Sequence, residues 1–250
     1  MDSDASPKLS LVVPLYNEAE SVEALQDEIH EVLKGIEYEL VLVDDGSTDE
    51  TAELVKPHSR TRFIQLTKNT GQSAAMYAGI MRSRGEVIGL IDGDLQNDPA
   101  DLPKLMDAVE NGADLACGYR ANRKDTAFKR FQSRIANAVR SRFTGDGVRD
   151  TGCSLKAMRR DCRDALTPFR GMHRFIPAFF HAAGYSIVEL PVNHRERKHG
   201  ESKYGGGLGR AIPATTDMFG VRWIMSRRIP FEAVEREWDV SSEKAETVET

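Results

Sequence analysis

Four short apolar runs in the first hundred residues alternate with segments of helical periodicity, and this alternation constrains the fold more than any other feature. The runs are rich in Val, Ile and Leu, as expected for strands that are covered on both faces of a parallel sheet. They span residues 9–14, 38–43, 62–66 and 87–91. Strands and helices in alternation predict an α/β fold with a mostly parallel, doubly wound sheet.

Helical patterns occupy the intervals between these runs. Residues 19–34 repeat apolar side chains at helical spacing, and Asp98 followed by Pro99 provides the cap and first turn of a helix that continues through residue 109. The remaining predicted elements are helices over 49–56, 73–83, 128–143 and 173–183, a strand over 185–192, a mobile loop over 194–207 and a basic amphipathic helix over 208–228.

The net charge of −5 is distributed unevenly along the chain. Residues 231–250 hold seven acidic side chains against two basic ones, which is typical of a disordered acidic tail. Residues 118–142 hold eight basic side chains against one acidic side chain, so this segment predicts an anionic partner. No run approaches the roughly 18 to 20 apolar residues of a membrane-spanning helix, and the amino terminus lacks a signal-peptide pattern. We therefore expect a cytoplasmic protein.

Polar side chains cluster where the predicted strands end, and doubly wound sheets bind ligands at this carboxyl edge. Asp92 and Asp94 are two positions apart, so in extended chain their carboxylates point to one side and can converge on a cation. Oxygen ligands of this kind favour Mg²⁺ or Mn²⁺, and Gln96 can add a carbonyl oxygen or orient a metal-bound water. The alternative is an ordinary acidic turn that caps the next helix.

Two further clusters belong to the same edge. In the sequence Asp-Asp-Gly-Ser at 44–47, Asp45 can accept hydrogen bonds from a base or a ribose, while Gly46 permits a close backbone approach to a ligand. An ordinary Asp-Gly turn is the alternative. The segment Pro-Leu-Tyr-Asn-Glu at 14–18 either lines the same pocket or caps the first helix through Asn17.

In their order and spacing, four motifs closely resemble those of family 2 glycosyltransferases. They are PLYNE at 14–18, VDDGSTD at 43–49, KNTGQSAAMYAG at 68–79 and LIDGDLQNDP at 90–99. GYR at 118–120 and RERKHGESKY at 195–204 are similar to the polyprenyl-phosphate branch of that family, which includes dolichyl-phosphate mannosyltransferase and its undecaprenyl-phosphate relatives. The resemblance covers residues 8–229. It implies a GT-A fold, a UDP- or GDP-linked sugar donor, a Mg²⁺ or Mn²⁺ ion, a polyprenyl phosphate acceptor and a single inverting displacement.

The resemblance also implies a role for each matching position. The donor-binding residues would be Pro14, Tyr16, Glu18, Asp45, Gln72, Asp92 and Gly93, and the metal-binding residues would be Asp92, Asp94 and Gln96. The catalytic set would be Asp94, Asp150, Arg120, Arg130 and Lys203. In this set the two arginines would face the acceptor phosphate, and the lysine would reach phosphate from a loop that closes over the donor.

Asp150 stands where relatives that act on hydroxyl groups place a catalytic carboxylate, but the surrounding sequence departs from the commoner DPxSGF form. A phosphate monoester is already ionised near neutral pH, its second pKa being about 6, so such an acceptor hardly needs a general base. We therefore interpret Asp150 as an organiser of the acceptor site, and a role as a base stays open.

Three other functions are compatible with the motifs. A glycosyltransferase that acts on a sugar or protein hydroxyl would use Asp150 as a base. A catalytically silent nucleotide-binding module would have no need of Asp94. An aspartyl-phosphate hydrolase is suggested by the partial match of DGDLQ to DxDx[TV], although Gln96 occupies the Thr or Val position. No nucleic-acid partner is expected.

These observations predict four segments: a flexible amino terminus at 1–7, a GT-A catalytic domain at 8–205, an amphipathic helical segment at 206–229 and the acidic tail at 230–250. Many bacterial relatives append membrane-spanning helices after the amphipathic segment, where this chain has the acidic tail. We therefore expect a peripheral enzyme at the cytoplasmic face of a membrane, with 208–228 among the headgroups. A core-packing or dimer-forming helix is the alternative, and the sequence leaves the sugar, the base and the oligomeric state open.

Overall fold

A computed structural model of the chain describes residues 6–121, 140–196 and 208–229, and the side chains of the last range from residue 215 onward. Seven strands form one sheet: β1 (Leu9–Leu15), β2 (Tyr38–Asp44), β3 (Thr61–Gln65), β4 (Val87–Leu90), β5 (Leu115–Arg120), β6 (Lys156–Arg159) and β7 (Ile187–Val192). Their order across the sheet is β3-β2-β1-β4-β6-β5-β7. All neighbouring pairs are parallel except those that involve β6, which runs antiparallel to both β4 and β5.

Helices cover both faces of this sheet. They are α1 (Val22–Val32), α2 (Gln72–Arg82), α3 (Leu102–Glu110), α4 (Ile176–Ala182) and α5 (Leu208–Ser226). Side chains alternate along β1, so Leu11 and Val13 pack in a core with α1 and α3, whereas Val12 packs on the opposite face with α2 and α4. Both faces are therefore buried, which explains why the strand is a continuous apolar run.

The structure confirms the predicted fold class and the four early strands to within one or two residues. The helix predicted over 49–56 is wrong, because this segment forms turns. The carboxylate of Asp49 accepts hydrogen bonds from the backbone N–H of Thr51 at 3.0 Å and of Ala19 at 3.3 Å, and side-chain bonds of this kind compete with helix formation. The helix predicted over 173–183 is shorter, since α4 begins after a 3₁₀ turn at Met172–Arg174.

Two predicted elements fall wholly or mainly on residues that the structure does not describe. The helix predicted over 128–143 is described only from residue 140, and the loop predicted over 194–207 only through residue 196. The helix predicted over 208–228 is present as α5. Within the described ranges, no helix combines the length and apolar character needed to cross a membrane.

Candidate active site

The turn after β2 is organised by the buried carboxylate of Asp45. It accepts hydrogen bonds from the backbone N–H of Thr70 at 2.8 Å and of Gly71 at 2.7 Å, and from the amide of Asn69 at 3.1 Å. Gly46 follows with φ of 69°, and a Cβ there would lie 2.7 Å from the backbone N of Asn69. The described geometry thus shows Asp45 fixing the loop that leads into α2, and a direct contact of its carboxylate with a donor stays a prediction.

The end of β1 is tied to the same turn through Asn17, which has φ of 52°. Its backbone N–H donates to Ser47 Oγ at 2.9 Å, and its side-chain oxygen accepts from the N–H of Thr48 at 2.8 Å. Asn17 therefore links two loops and does not cap α1, whose N-cap residue is Ser21. The donor-binding residues predicted on this strand and turn, Pro14, Tyr16 and Glu18, lie here, the first buried and the other two partly buried.

Asp92 follows β4 at the centre of the carboxyl edge. Its Oδ1 accepts a hydrogen bond from Gln72 Nε2 at 2.7 Å, so the structure brings together two residues that the sequence assigned to the donor site. The hydroxyl of Ser154 donates to the same carboxylate. Ser154 Oγ in turn accepts a hydrogen bond from Asn97 Nδ2 at 2.7 Å. The orientation of Asp92 is thus set by one donor from the first residue of α2 and one from the loop before β6.

The backbone after Asp92 turns sharply in a confined space. A Cβ on Gly93 would lie 2.8 Å from Leu15 Cδ2 and 3.2 Å from the carbonyl oxygen of Pro14, so a larger residue there would have to move the Leu15 side chain. Leu95 adopts φ of 61°, a conformation that residues with a Cβ rarely take. The turn brings the N–H of Gln96 to 3.2 Å from Asp94 Oδ1, which orients the second carboxylate.

The two carboxylates are crowded. Burial and, after it, the charge of Asp94 raise the pKa of Asp92 to about 6, against the opposing effects of a hydrogen bond from Ser154 and the charge of Lys156. A divalent cation between the carboxylates would relieve this repulsion, so the donor set fits Mg²⁺ or Mn²⁺. No group of three or more His, Cys, Asp or Glu side chains suited to a metal occurs in the described ranges. A cation here would complete its shell with water, an amide oxygen or phosphate oxygens.

A second charged pair links β5 to the loop before β6. Arg120 donates from Nε to Asp150 Oδ2 and from Nη2 to Asp150 Oδ1, each at 2.8 Å, and its backbone N–H donates to Oδ2 at 3.2 Å. Burial alone would raise the pKa of Asp150, but the hydrogen bonds and charge of Arg120 outweigh it and hold the pKa below its usual range. A Cβ on Gly152 would lie 2.9 Å from Arg120 Nη2, so the glycine leaves room for the guanidinium.

Lys156 lies close enough to act on both Asp92 and Asp150, and the sequence did not predict this role. The residue is 2% exposed, and its ammonium donates to the carbonyl oxygen of Cys153. Its positive charge lowers the pKa of both Asp92 and Asp150. Because the charge of this buried lysine acts on both carboxylates, Lys156 couples the predicted metal site electrostatically to the Arg120–Asp150 pair. The sequence feature that could have indicated a buried lysine is the uncharged segment that directly precedes it, residues 151–155.

Arg195 anchors the start of the RERKHGESKY segment beside the acidic turn. It donates from Nη1 and Nη2 to the carboxylate of Glu28 at 2.9 and 2.6 Å, and its backbone N–H donates to the carbonyl oxygen of Gln96 at 2.8 Å. Arg195 was not among the site residues predicted from the sequence. Two predicted site residues, Arg130 and Lys203, lie outside the described residues.

The residues that form the sheet and the two charged groups also match a known protein family. A family model described as "Glycosyl transferase family 2" matches residues 10–166, which include β1 to β6 and both charged groups. The chain belongs to glycosyl transferase family 2. This membership confirms the resemblance seen in the four motifs.

Curated relatives in the family are named for polyprenyl phosphates. The chain is 38% identical over 211 residues to the undecaprenyl-phosphate 4-deoxy-4-formamido-L-arabinose transferase of Edwardsiella ictaluri, covering 79% of this chain and 63% of that protein. It is 40% identical over 235 residues to the dodecaprenyl-phosphate galacturonate synthase of Rhizobium johnstonii, covering 90% of this chain and 69% of that protein. The chain therefore spans about two thirds of the length of these relatives.

Solved structures show the same fold at lower identity. The glucosyl-3-phosphoglycerate synthase of Mycobacterium tuberculosis, determined with Mn²⁺, UDP and phosphoglyceric acid, superimposes with a TM-score of 0.67 at 17% identity, covering 90% of this chain and 80% of that one. The seven-stranded sheet is thus a GT-A fold, as the resemblance implied.

Proposed function

We propose that the protein transfers a sugar from a nucleotide-diphosphate donor to a polyprenyl phosphate, with inversion at the anomeric carbon and with a divalent cation held at Asp92 and Asp94. The observation that carries the proposal is the placement of this carboxylate pair beside the Arg120–Asp150 pair, at the carboxyl edge of a GT-A sheet. The curated relatives named for undecaprenyl and dodecaprenyl phosphates support the acceptor class.

The donor half of the site is built by the three turns after β1, β2 and β4. When bound, the cation would neutralise negative charge on the departing diphosphate. Gln72 holds the carboxylate of Asp92 in place, and the N–H of Gln96 does the same for Asp94. Asp45 fixes the loop before α2. This loop and the segment that contains Pro14, Tyr16 and Glu18 then form one rigid wall of the nucleoside pocket.

The acceptor half is built around Arg120. Its guanidinium is held in one orientation by the two hydrogen bonds to Asp150, and a guanidinium suits the paired oxygens of a phosphate. The pKa of Asp150 is held below its usual range, which makes this carboxylate a weak base. An acceptor that arrives already ionised suits such a residue, whereas a sugar or protein hydroxyl does not. Arg130 and Lys203 would add positive charge, the first toward the acceptor and the second toward the donor.

A donor panel tests the proposal. Purified protein is incubated with undecaprenyl phosphate, Mn²⁺ and a series of UDP- and GDP-linked sugars, and sugar transfer to lipid is measured. With the active donor, Asp94→Asn should lower turnover by about 10²- to 10³-fold, because charge stabilisation at the leaving group is among the largest catalytic effects. Asp107→Asn, an exposed change on α3, is the matched control. Transfer that survives both Asp94→Asn and full chelation would contradict the proposal.

A further inference from the structure

A cleft lies at the opposite edge of the sheet from the carboxylates, where β1, β2 and β4 begin. It encloses about 600 Å³, which is within the size range of cavities that bind organic ligands. Five arginines line it, together with the carboxylate of Glu39. The arginines are Arg60, Arg62, Arg84, Arg160 and Arg163.

Backbone carbonyl groups hold four of these guanidinium groups in place. The carbonyls belong to the last residue of α2 and to the loops that precede β2 and β4. The four hydrogen bonds run from Arg60 Nη1 to Ile36 O at 2.8 Å, from Arg62 Nη1 to Arg82 O at 2.9 Å, from Arg160 Nη1 to Arg84 O at 2.5 Å and from Arg163 Nη1 to Ser83 O at 3.3 Å. A carbonyl oxygen orients a guanidinium without neutralising it, so the cleft keeps its positive charge.

Acidic side chains balance only part of this charge. Glu39 is 6% exposed and accepts hydrogen bonds from Ser10, from the backbone N–H of Arg84 and from Arg62 Nη1 at 2.9 Å. Glu37 lies 3.7 Å from Arg60, at the exposed rim. Within the described ranges, the side chains of three lining arginines have no acidic partner. They are Arg84, Arg160 and Arg163.

We propose that this cleft binds an organic phosphate through Arg84, Arg160 and Arg163. A guanidinium does not lose its proton in a protein, so the three groups keep their positive charge, and an anion in the cleft would neutralise it. Phosphate oxygens match the paired N–H groups of a guanidinium, and several such pairs together favour phosphate over a single carboxylate. The phosphate belongs either to a soluble molecule of nucleotide size or to the headgroup of an anionic lipid.

The site is separate from the proposed reaction. The carboxylates follow the carboxyl end of β4. Arg84 precedes the amino end of the same strand, and Arg160 and Arg163 follow β6, whose antiparallel pairing places its last residue opposite Val87. Its failure would therefore leave the proposed transferase activity untouched, and loss of that activity would leave the cleft untouched.

Calorimetric titration of the full chain with inorganic pyrophosphate, in EDTA and at low salt, tests the proposal. Millimolar pyrophosphate should bind, and Arg160→Gln with Arg163→Gln should weaken binding at least ten-fold. Arg84→Gln is a second variant, because its side chain donates no hydrogen bond to any residue in the described ranges and the fold does not depend on it. It should weaken binding several-fold. Arg170→Gln, an exposed arginine outside the cleft, is the matched control.

Vesicle co-sedimentation separates the two sources of phosphate. The same variants are mixed with vesicles of phosphatidylcholine, with or without phosphatidylglycerol. If the cleft variants lose both pyrophosphate and anionic vesicles, the ligand is a lipid headgroup. If they lose pyrophosphate alone, the ligand is soluble. If wild-type protein binds no pyrophosphate, or if both cleft variants bind it as the wild type does, the proposal is overturned.

Discussion

At the scale of single residues, the charged form of Asp92 suits a metal site but lowers the stability of the fold. Its folded-state pKa of about 6 is above its ordinary value of 3.8, because burial and Asp94 disfavour the charged form. The folded protein therefore holds this proton more tightly than the unfolded chain does. Stability contributed by the protonated form is present below the unfolded pKa and is lost as the pH rises through the folded pKa.

Asp92→Asn should consequently stabilise the metal-free protein at neutral pH. One pKa unit corresponds to about 1.4 kcal/mol, so the gain in the free energy of unfolding should reach at most about 3 kcal/mol above pH 7 and vanish near pH 4. Urea unfolding in EDTA at the two pH values measures this difference, with Asp107→Asn as the exposed control. A variant that is less stable than the wild type at pH 7.5 would contradict the assignment.

Among single residues, sequence predicted those whose position in a motif determines their role. Asp92 and Asp94 follow the end of β4, as the strand pattern predicted, and Gln72, which only the family resemblance implied, lies against Asp92. Lys156 was missed because its importance comes from burial, which depends on how a later strand inserts into the sheet. Asp49 was assigned to a helix because apolar spacing does not reveal a side chain that bonds to its own turn.

At the scale of elements, β6 and the loop before it position several residues of the site. It is four residues long, with a lysine and an arginine at its ends, and it runs antiparallel between β4 and β5. So short a segment has no recognisable period, which explains why the sequence predicted β4 on one side of β6 but not β6 itself. The strand β5 on its other side, six residues long, was not predicted either. The loop before it brings Asp150 to Arg120 and Ser154 to Asp92.

Lys156→Met should disturb both ends of this loop. It removes the donor to the Cys153 carbonyl and the positive charge that opposes the raised pKa of Asp92, so the acid limb of the pH-activity profile should shift to higher pH. The free energy of unfolding should fall by about 3 to 5 kcal/mol, as for other losses of a buried charged partner. Lys156→Arg should restore the pH profile in part.

Lys34→Met, a change in a lysine that is 71% exposed, provides the control for the general effect of removing a positive charge. A purely structural role would lower stability and leave the acid limb where it is. That outcome would exclude an electrostatic connection between Lys156 and the carboxylates.

For the whole molecule, α5 has one side packed on the core and one side exposed. Val221 is 1% exposed and packs with the core on the α2 and α4 face, so the core-packing interpretation of this helix holds for one side. The other side exposes 64% of Trp223 and 59% of Phe219, and the exposed Arg222 and Arg227 lie nearby. Exposed aromatic and basic side chains together are typical of helices that lie in a headgroup layer.

Trp223→Ala should therefore weaken binding to vesicles that contain phosphatidylglycerol by about ten-fold, because an indole buried at the interface contributes on the order of 1 to 2 kcal/mol. Flotation of the full chain with and without added salt measures this. Val188→Ala, at an exposed apolar position on β7, is the control. Equal flotation of all three proteins would exclude α5 as the contact.

The order of pairing in the sheet has a consequence for the growing chain. β1 to β4 find their partners among themselves, but β5 pairs only with β6 and β7, which are made later. During synthesis, β1 to β4 can therefore pair with one another before β5 has a strand to pair with. Only after residue 159 has emerged can β6 pair with both β4 and β5 and join the two halves, and Arg195 reaches the acidic turn later still.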